Sequence, residues 1–173
     1  MNASLRTTKA LPGYTICGLR HSHIFTVPYD LGDTPWVELM RTLAPRTDAN
    51  EDIYTLDPPG RLTTNRPIQV AFARCAGTSV CGEDAQEYAD ANRLGLASVY
   101  HMLAVLKHIP DIVEQLNYEH GVGPGLFATE PIAVADGQNA VGLWREGKSV
   151  GWKAKFIPYE SSLMQRTYFV FIA

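Results

Sequence analysis

The stretch from residue 84 to residue 107, DAQEYADANRLGLASVYHMLAVLK, carries the strongest periodicity in the chain. Mostly apolar side chains recur in it at spacings of three and four, which is the period of one helix face. The opposite side of the same helix is not polar either, since it holds Leu94, Ala97, Ala104 and Val105. A helix that is apolar most of the way round is usually buried on more than one side. We therefore predict one long helix that lies across a sheet and is also covered by a loop or a partner chain.

Short segments rich in β-branched and aromatic residues lie on both sides of this stretch. Residues 14–19, 23–27 and 68–73 precede it, and a short helix is expected between the second and the third of these strands. The last 48 residues contain five further candidate strands: Leu126–Ala128, Ile132–Ala135, Ala140–Arg145, Ser149–Ile157 and Thr167–Ile172. The final run is almost wholly apolar, which predicts an interior strand or an oligomer contact.

Strands, then helices, then strands again are typical of the α+β class. We predict a mostly antiparallel sheet packed on one long helix, with an all-β C-terminal part. At 173 residues the chain has the length of one domain, so residues 1–173 are assigned to a single α+β domain.

Composition excludes several functional classes. With 46% apolar and 19% charged residues the chain is typical of globular proteins rather than of disordered ones. A formal net charge of −3 argues against a protein held mainly by the phosphates of duplex nucleic acid. No run of apolar residues is long enough to span a membrane, and the first residues lack the apolar part of a secretion signal. We expect a cytoplasmic protein.

A histidine pair is the first candidate for chemistry. His21 and His23 are two apart, so regular strand alternation would place both imidazoles on one face of the sheet. Two imidazoles suit a metal ion, although a third ligand is needed from His120, Glu119 or the acidic loop at 48–57. The alternative is a pair of surface or partly buried histidines without a ligand.

Glu119 and His120 are the candidate catalytic residues. They directly precede the glycine-rich segment GVGPG at 121–125, and a carboxylate and an imidazole beside a flexible loop suit an acid/base active site. Together with His21 and His23 they would make a small metal-assisted or acid/base hydrolase. The competing interpretation is a plain connection from helix to strand.

The C-terminal hairpin alternates basic and aromatic residues. Trp152, Ala154 and Phe156 should share one face of a strand, and Lys153 and Lys155 the other. With two neighbouring residues, Trp144 and Arg145, this pattern is typical of a stacking surface for single-stranded nucleic acid or a nucleotide. A half-buried strand with its lysines in water has the same pattern.

The surplus of apolar side chains favours a further function, contact with another protein. Its candidate interface residues are Leu94, Val105, Phe169 and Phe171. We accordingly expect a small binding or assembly protein, such as an accessory, regulatory or inhibitory subunit, whose partner is another protein or a second copy of the chain. No sequence motif calls for a cofactor.

Overall fold

One mixed, mostly antiparallel sheet organises the chain, as expected for the α+β class. The computed structural model describes residues 15–44, 46–47, 53, 58–63, 65–76, 79–116, 125–135, 137–145, 151–163 and 167–173. The strands within these ranges are β1 (Thr15–Ile16), β2 (Leu19–Val27), β3 (Arg46–Thr47), β4 (Ile68–Cys75), β5 (Gly95–Leu96), β6 (Gly125–Ala128), β7 (Ile132–Val134), β8 (Gly137–Trp144), β9 (Lys153–Pro158) and β10 (Thr167–Ile172). The helices are α1 (Trp36–Leu43), α2 (Gly82–Asn92), α3 (Val99–His108) and α4 (Ile112–Gln115). The strand order is β1-β2-β4-β10-β6-β8-β9-β3, with β5 beside β10 and β7 beside β8.

The apolar C-terminal run is an interior strand. β10 lies between β4, which it pairs antiparallel, and β6, which it pairs parallel. Phe169 and Phe171 are fully buried on it. The first of the two alternatives predicted for this run is therefore confirmed.

The single long helix predicted for residues 84–107 is wrong. The chain forms two shorter helices, and α2 ends where Arg93 takes a left-handed conformation with φ 56°. The Asn92 side chain donates to the Tyr88 carbonyl at 2.8 Å and so caps the last turn of α2. The chain then passes through β5 and begins α3 after Ser98.

The two helices pack on opposite sides of the sheet. Ala85, Tyr88 and Ala89 of α2 belong to one apolar core, and α3 belongs to the other. We call the two sheet surfaces the α2 face and the α3 face; α1 and α4 also pack on the α3 face. The apolar character on all sides of residues 84–107 therefore has two sources. α2 buries one side, whereas every residue of α3 from Val99 to Leu106 is buried, because α1 also covers this helix and places the Trp36 ring 5.4 Å from that of Tyr100. Burial on more than one side, as expected from the sequence, is thus confirmed for α3.

A register change in β2 exchanges the faces to which its side chains point. His21 pairs with Ala73, but His23 pairs with Phe72, so Ser22 is an extra residue, as in a β-bulge. Leu19 consequently packs in the core of the α2 face, whereas Phe25 packs in that of the α3 face. Regular alternation would have placed both on the same side.

Candidate ligand-binding surface

The residues that the structure brings together lie on the α2 face of β8 and β9. Trp144 pairs with Lys153, and Gly142 pairs with Lys155, so the tryptophan and both lysines extend from the same side of the sheet. Lys155 is exposed, and its Nζ lies 5.0 Å from the centroid of the Trp144 ring. We call these three residues the Trp–Lys surface.

The expected division of β9 into an aromatic and a basic side is confirmed. Trp152 and Ala154 are buried in the core of the α3 face, and Phe156 packs against that core. The two lysines of the Trp–Lys surface lie on the other side of the strand. The aromatic ring beside them is therefore Trp144 of β8 and not Trp152 of β9.

Two glycines fix the position of the Trp144 ring. A Cβ atom added at Gly125 or at Gly142 would come within 3.0 Å of the indole. Both glycines are next to Trp144, Gly125 as its cross-strand partner on β6 and Gly142 two positions earlier on β8. Glycine inside a strand is a recognised sign of a close approach, so Gly125 and Gly142 are the sequence signal for the position of the Trp144 ring.

Arg145 does not extend the Trp–Lys surface. Its guanidinium donates to the Pro110 carbonyl at 3.2 Å, in the connection between α3 and α4. Because these helices pack on the α3 face, this contact draws Arg145 to the side away from Trp144. Of the four residues predicted for a nucleic-acid surface, three converge.

The histidine pair is divided between the two faces. Because of the extra residue Ser22, His21 lies with Ala73 on the α2 face, and His23 stacks on Phe25 on the α3 face with ring centroids 5.8 Å apart. The shared face expected from alternation is therefore wrong. Burial lowers the pKa of both imidazoles, and the charge of His23 lowers that of His21 further.

His21 and His23 are not placed to bind the same metal ion. His23 Nδ1 lies 2.6 Å from the Ser22 hydroxyl oxygen, and His21 Nε2 is buried without a hydrogen-bond partner. In the part of the chain that the structure describes, no group of three or more His, Cys, Asp and Glu side chains could hold a metal ion. Glu119 and His120 lie outside the described residues.

The two histidines of α3 have separate partners. His101 is buried at the start of the helix, where its Nδ1 accepts a hydrogen bond from the Ser98 backbone N–H at 3.1 Å. His108 lies at the other end, with its Nε2 2.7 Å from the Asp30 carboxylate, which also contacts Lys107 at 3.2 Å. These contacts stabilise the two ends of the helix.

Three of the four predicted interface residues lie inside the chain's own core. Val105, Phe169 and Phe171 are 0% exposed. Leu94 is partly exposed and packs against the core of the α2 face. Burial within one chain leaves the first three without a surface for a partner to cover.

Comparison of the chain with protein-family models, with curated proteins and with solved structures gave no match. Within the described residues, no helix is both long enough and apolar enough to cross a bilayer.

Proposed function

We propose that this chain is a binding protein that holds single-stranded nucleic acid on the Trp–Lys surface. The observation that carries the proposal is the position of Lys155 Nζ, 5.0 Å above a Trp144 ring that shares its side of the sheet with Lys153. An aromatic ring beside flexible cations is the arrangement that binds single strands, with bases stacked on the ring and phosphates paired with the cations.

A nucleic-acid base should displace the Lys155 ammonium group from the Trp144 ring, because base stacking is the stronger of the two contacts. A cation–π contact at an exposed site contributes about 0.5–1 kcal/mol. A base stacked on an aromatic side chain contributes about 1–3 kcal/mol. A base that takes the place of Lys155 on the ring also frees its ammonium group for a phosphate of the same strand.

The two glycines beside Trp144 preorganise its ring for stacking. Gly125 and Gly142 leave the space in which the indole lies, so the ring has its place on the sheet without a ligand. Preorganisation lowers the conformational entropy that binding would otherwise cost. The net charge of −3 limits the number of phosphate contacts, which suits a short single strand better than a duplex.

The other functions expected from the sequence have less support. Contact with a partner protein was inferred from apolar residues, of which Val105, Phe169 and Phe171 belong to the core. The hydrolase was inferred in part from a histidine pair whose members lie on opposite faces of the sheet.

Binding of a fluorescent oligothymidylate, followed by anisotropy at low salt, tests the proposal. The wild-type protein should bind with a salt slope of about −1.4 in log K against log[salt], because two lysines contact phosphates. The double variant Lys153→Gln/Lys155→Gln should lose this slope. Trp144→Phe should retain part of the affinity, since a smaller ring still stacks, whereas Trp144→Leu should lose about 1–3 kcal/mol.

The matched control is Arg41→Gln/Arg93→Gln, which removes two exposed charges that take part in no ion pair among the described residues. It should bind the oligonucleotide like the wild type. If the two double variants bind equally, or if the wild-type protein does not bind at low salt, the proposed function is wrong.

A further inference from the structure

Three donor side chains form a row on the α3 face, away from the Trp–Lys surface. Arg20 of β2 pairs with Arg74 of β4, and Thr15 of β1 pairs with Arg20 on the other side. Residues paired in this way extend from the same face of the sheet, with Cα atoms about 4.5–5.5 Å apart. All three residues are exposed.

Among the described residues, no ion pair neutralises the guanidinium groups of Arg20 and Arg74, which occupy directly opposite positions on β2 and β4. The ion pairs in the described part of the chain involve Asp30 with Lys107 and His108, and neither arginine takes part in them. Like charges directly opposite each other in a sheet are destabilising. An anion placed between them would replace this repulsion by two attractive contacts.

The side chain next in the row closes it toward the core. Tyr168 of β10 pairs with Arg74 and is buried, and its hydroxyl donates to the Leu116 carbonyl at 3.2 Å. The row Thr15–Arg20–Arg74 is therefore open to solvent on one side and ends at a buried ring on the other.

We infer that Thr15, Arg20 and Arg74 form a binding site for a phosphate group. Guanidinium groups bind the oxygens of carboxylates and phosphates in a bidentate manner, and the threonine hydroxyl adds a neutral donor. Three donor side chains suit the several oxygens of a phosphate better than the two of a carboxylate. The site is independent of the proposed function, because β4 and β8 are three strand spacings apart, about 14 Å, and the row lies on the opposite face from Trp144.

Thermal unfolding in the presence of phosphate tests this inference. Sodium phosphate and ribose 5-phosphate are compared with sodium acetate, each at an ionic strength held constant with sodium chloride. At about ten times the dissociation constant, a ligand that binds only the folded chain should raise the Tm of the wild-type protein by about 3–6 °C. A shift with sodium phosphate indicates the free ion as the ligand, and a shift with ribose 5-phosphate alone indicates a phosphate ester.

Two variants should lose the shift. Arg20→Gln/Arg74→Gln removes both guanidinium groups. Arg74→Glu replaces the repulsion by an ion pair with Arg20, so this variant should be folded and insensitive to phosphate even if the first variant is unstable. The control Lys153→Gln/Lys155→Gln removes two charges from the Trp–Lys surface and should keep the full shift.

The inference is overturned if neither phosphate compound raises the Tm of the wild-type protein, if acetate raises it equally, or if Arg74→Glu keeps the shift. Loss of oligonucleotide binding in the lysine variant together with an unchanged phosphate shift would support both sites separately. Oligonucleotide binding can fail while the phosphate shift persists, so the two proposals are tested apart.

Discussion

The Nδ1 atom of His101 lies 2.9 Å from the hydroxyl oxygen of Ser98 and accepts a hydrogen bond from the Ser98 backbone N–H. Ser98 immediately precedes α3, and its hydroxyl donates to the Gly60 carbonyl at 3.1 Å. The backbone N–H groups at the N-terminus of a helix have no acceptor within the helix. His101 supplies an acceptor for one of them, the N–H of Ser98. A proton on His101 Nδ1 would abolish this contact.

Stability should therefore fall as the pH is lowered from 6.5 toward 4. Burial lowers the pKa of His101 to about 4, whereas the unfolded chain takes up this proton near pH 6.5. The unfolded state binds more protons between these values, so the contribution of His101 is complete above pH 6.5 and is lost as the pH falls. The loss amounts to about 3 kcal/mol at most.

Urea unfolding of the wild type and of His101→Gln across this pH range measures the contribution. The glutamine carbonyl can still accept from the Ser98 N–H but does not titrate, so the variant should show a shallower pH dependence. His21 and His23, whose pKa values are also lowered by burial, remain in both proteins as a common background. Parallel curves for the two proteins would show that His101 does not titrate in this way.

Substitution of Cys17 by Asn should stabilise the β1–β2 hairpin. Cys17 and Gly18 form its two-residue turn with φ values of 48° and 73°, the left-handed pair in which Asn-Gly is favoured. We expect Cys17→Asn to raise the free energy of unfolding by about 0.5–1 kcal/mol. The Cys17 thiol donates to the Glu87 carboxylate at 3.1 Å, so Cys17→Ala, which loses this contact but keeps the strained conformation, is the control. A Cys17→Asn variant no more stable than Cys17→Ala would contradict the prediction.

Replacement of Gly142 by Ala should displace the Trp144 ring. The added methyl group would overlap the indole and come within 3.0 Å of Ile157, which costs about 1–3 kcal/mol of stability. Urea unfolding gives the cost, and tryptophan fluorescence reports the displacement. Gly32→Ala is a control for a glycine with no neighbour within 4 Å of an added Cβ, although its φ of 58° still adds about 1 kcal/mol of strain. A Gly142→Ala variant with wild-type fluorescence and stability would show that the ring does not lie across this glycine.

Phe171 should behave as a core residue and not as an interface residue. Its ring packs on Tyr88 with centroids 5.3 Å apart, and Phe171→Ala should destabilise the fold by about 3–5 kcal/mol. This loss should be independent of protein concentration, because the contact lies within one chain. Leu94→Ala, at a partly exposed position, should cost less. A cost of Phe171→Ala that grows with protein concentration would instead indicate an assembled form.

The sequence predicted best those elements whose boundaries depend on local composition. β10 was predicted over Thr167–Ile172 and has those bounds, since a run of aromatic and β-branched residues can be buried on both faces. The lysine side of β9 was also predicted, because alternation continues without interruption through residues 153–157.

Two predictions from the sequence are wrong because the backbone is irregular at a single residue in each case. The break between α2 and α3 depends on the left-handed conformation of Arg93, which a non-glycine residue rarely adopts and which periodicity does not reveal. The separation of His21 from His23 depends on a single extra residue, Ser22, which reverses the faces of everything that follows on β2.

The other contacts in the two proposed sites depend on which strands are neighbours in the sheet and on their register. Trp144 joins Lys153 because β8 and β9 are in that register, and Arg20 faces Arg74 because β2 and β4 are in theirs. Trp144 and Lys153 belong to one hairpin, so their proximity was predicted, whereas Arg20 and Arg74 are too far apart in the chain to leave a local pattern that indicates the arginine row.

The central position of β10 has a consequence for the order in which the fold can be built. Residues 167–172 are synthesised after all the strands that they join, so β4 and β6 stay without their common neighbour until this segment has been translated. The unpaired backbone N–H and C=O groups of a strand edge can form hydrogen bonds with another chain. Contacts between distant parts of a chain also slow the search for the native state. We therefore expect nascent copies of this protein to be prone to aggregation until β10 has paired with β4 and β6.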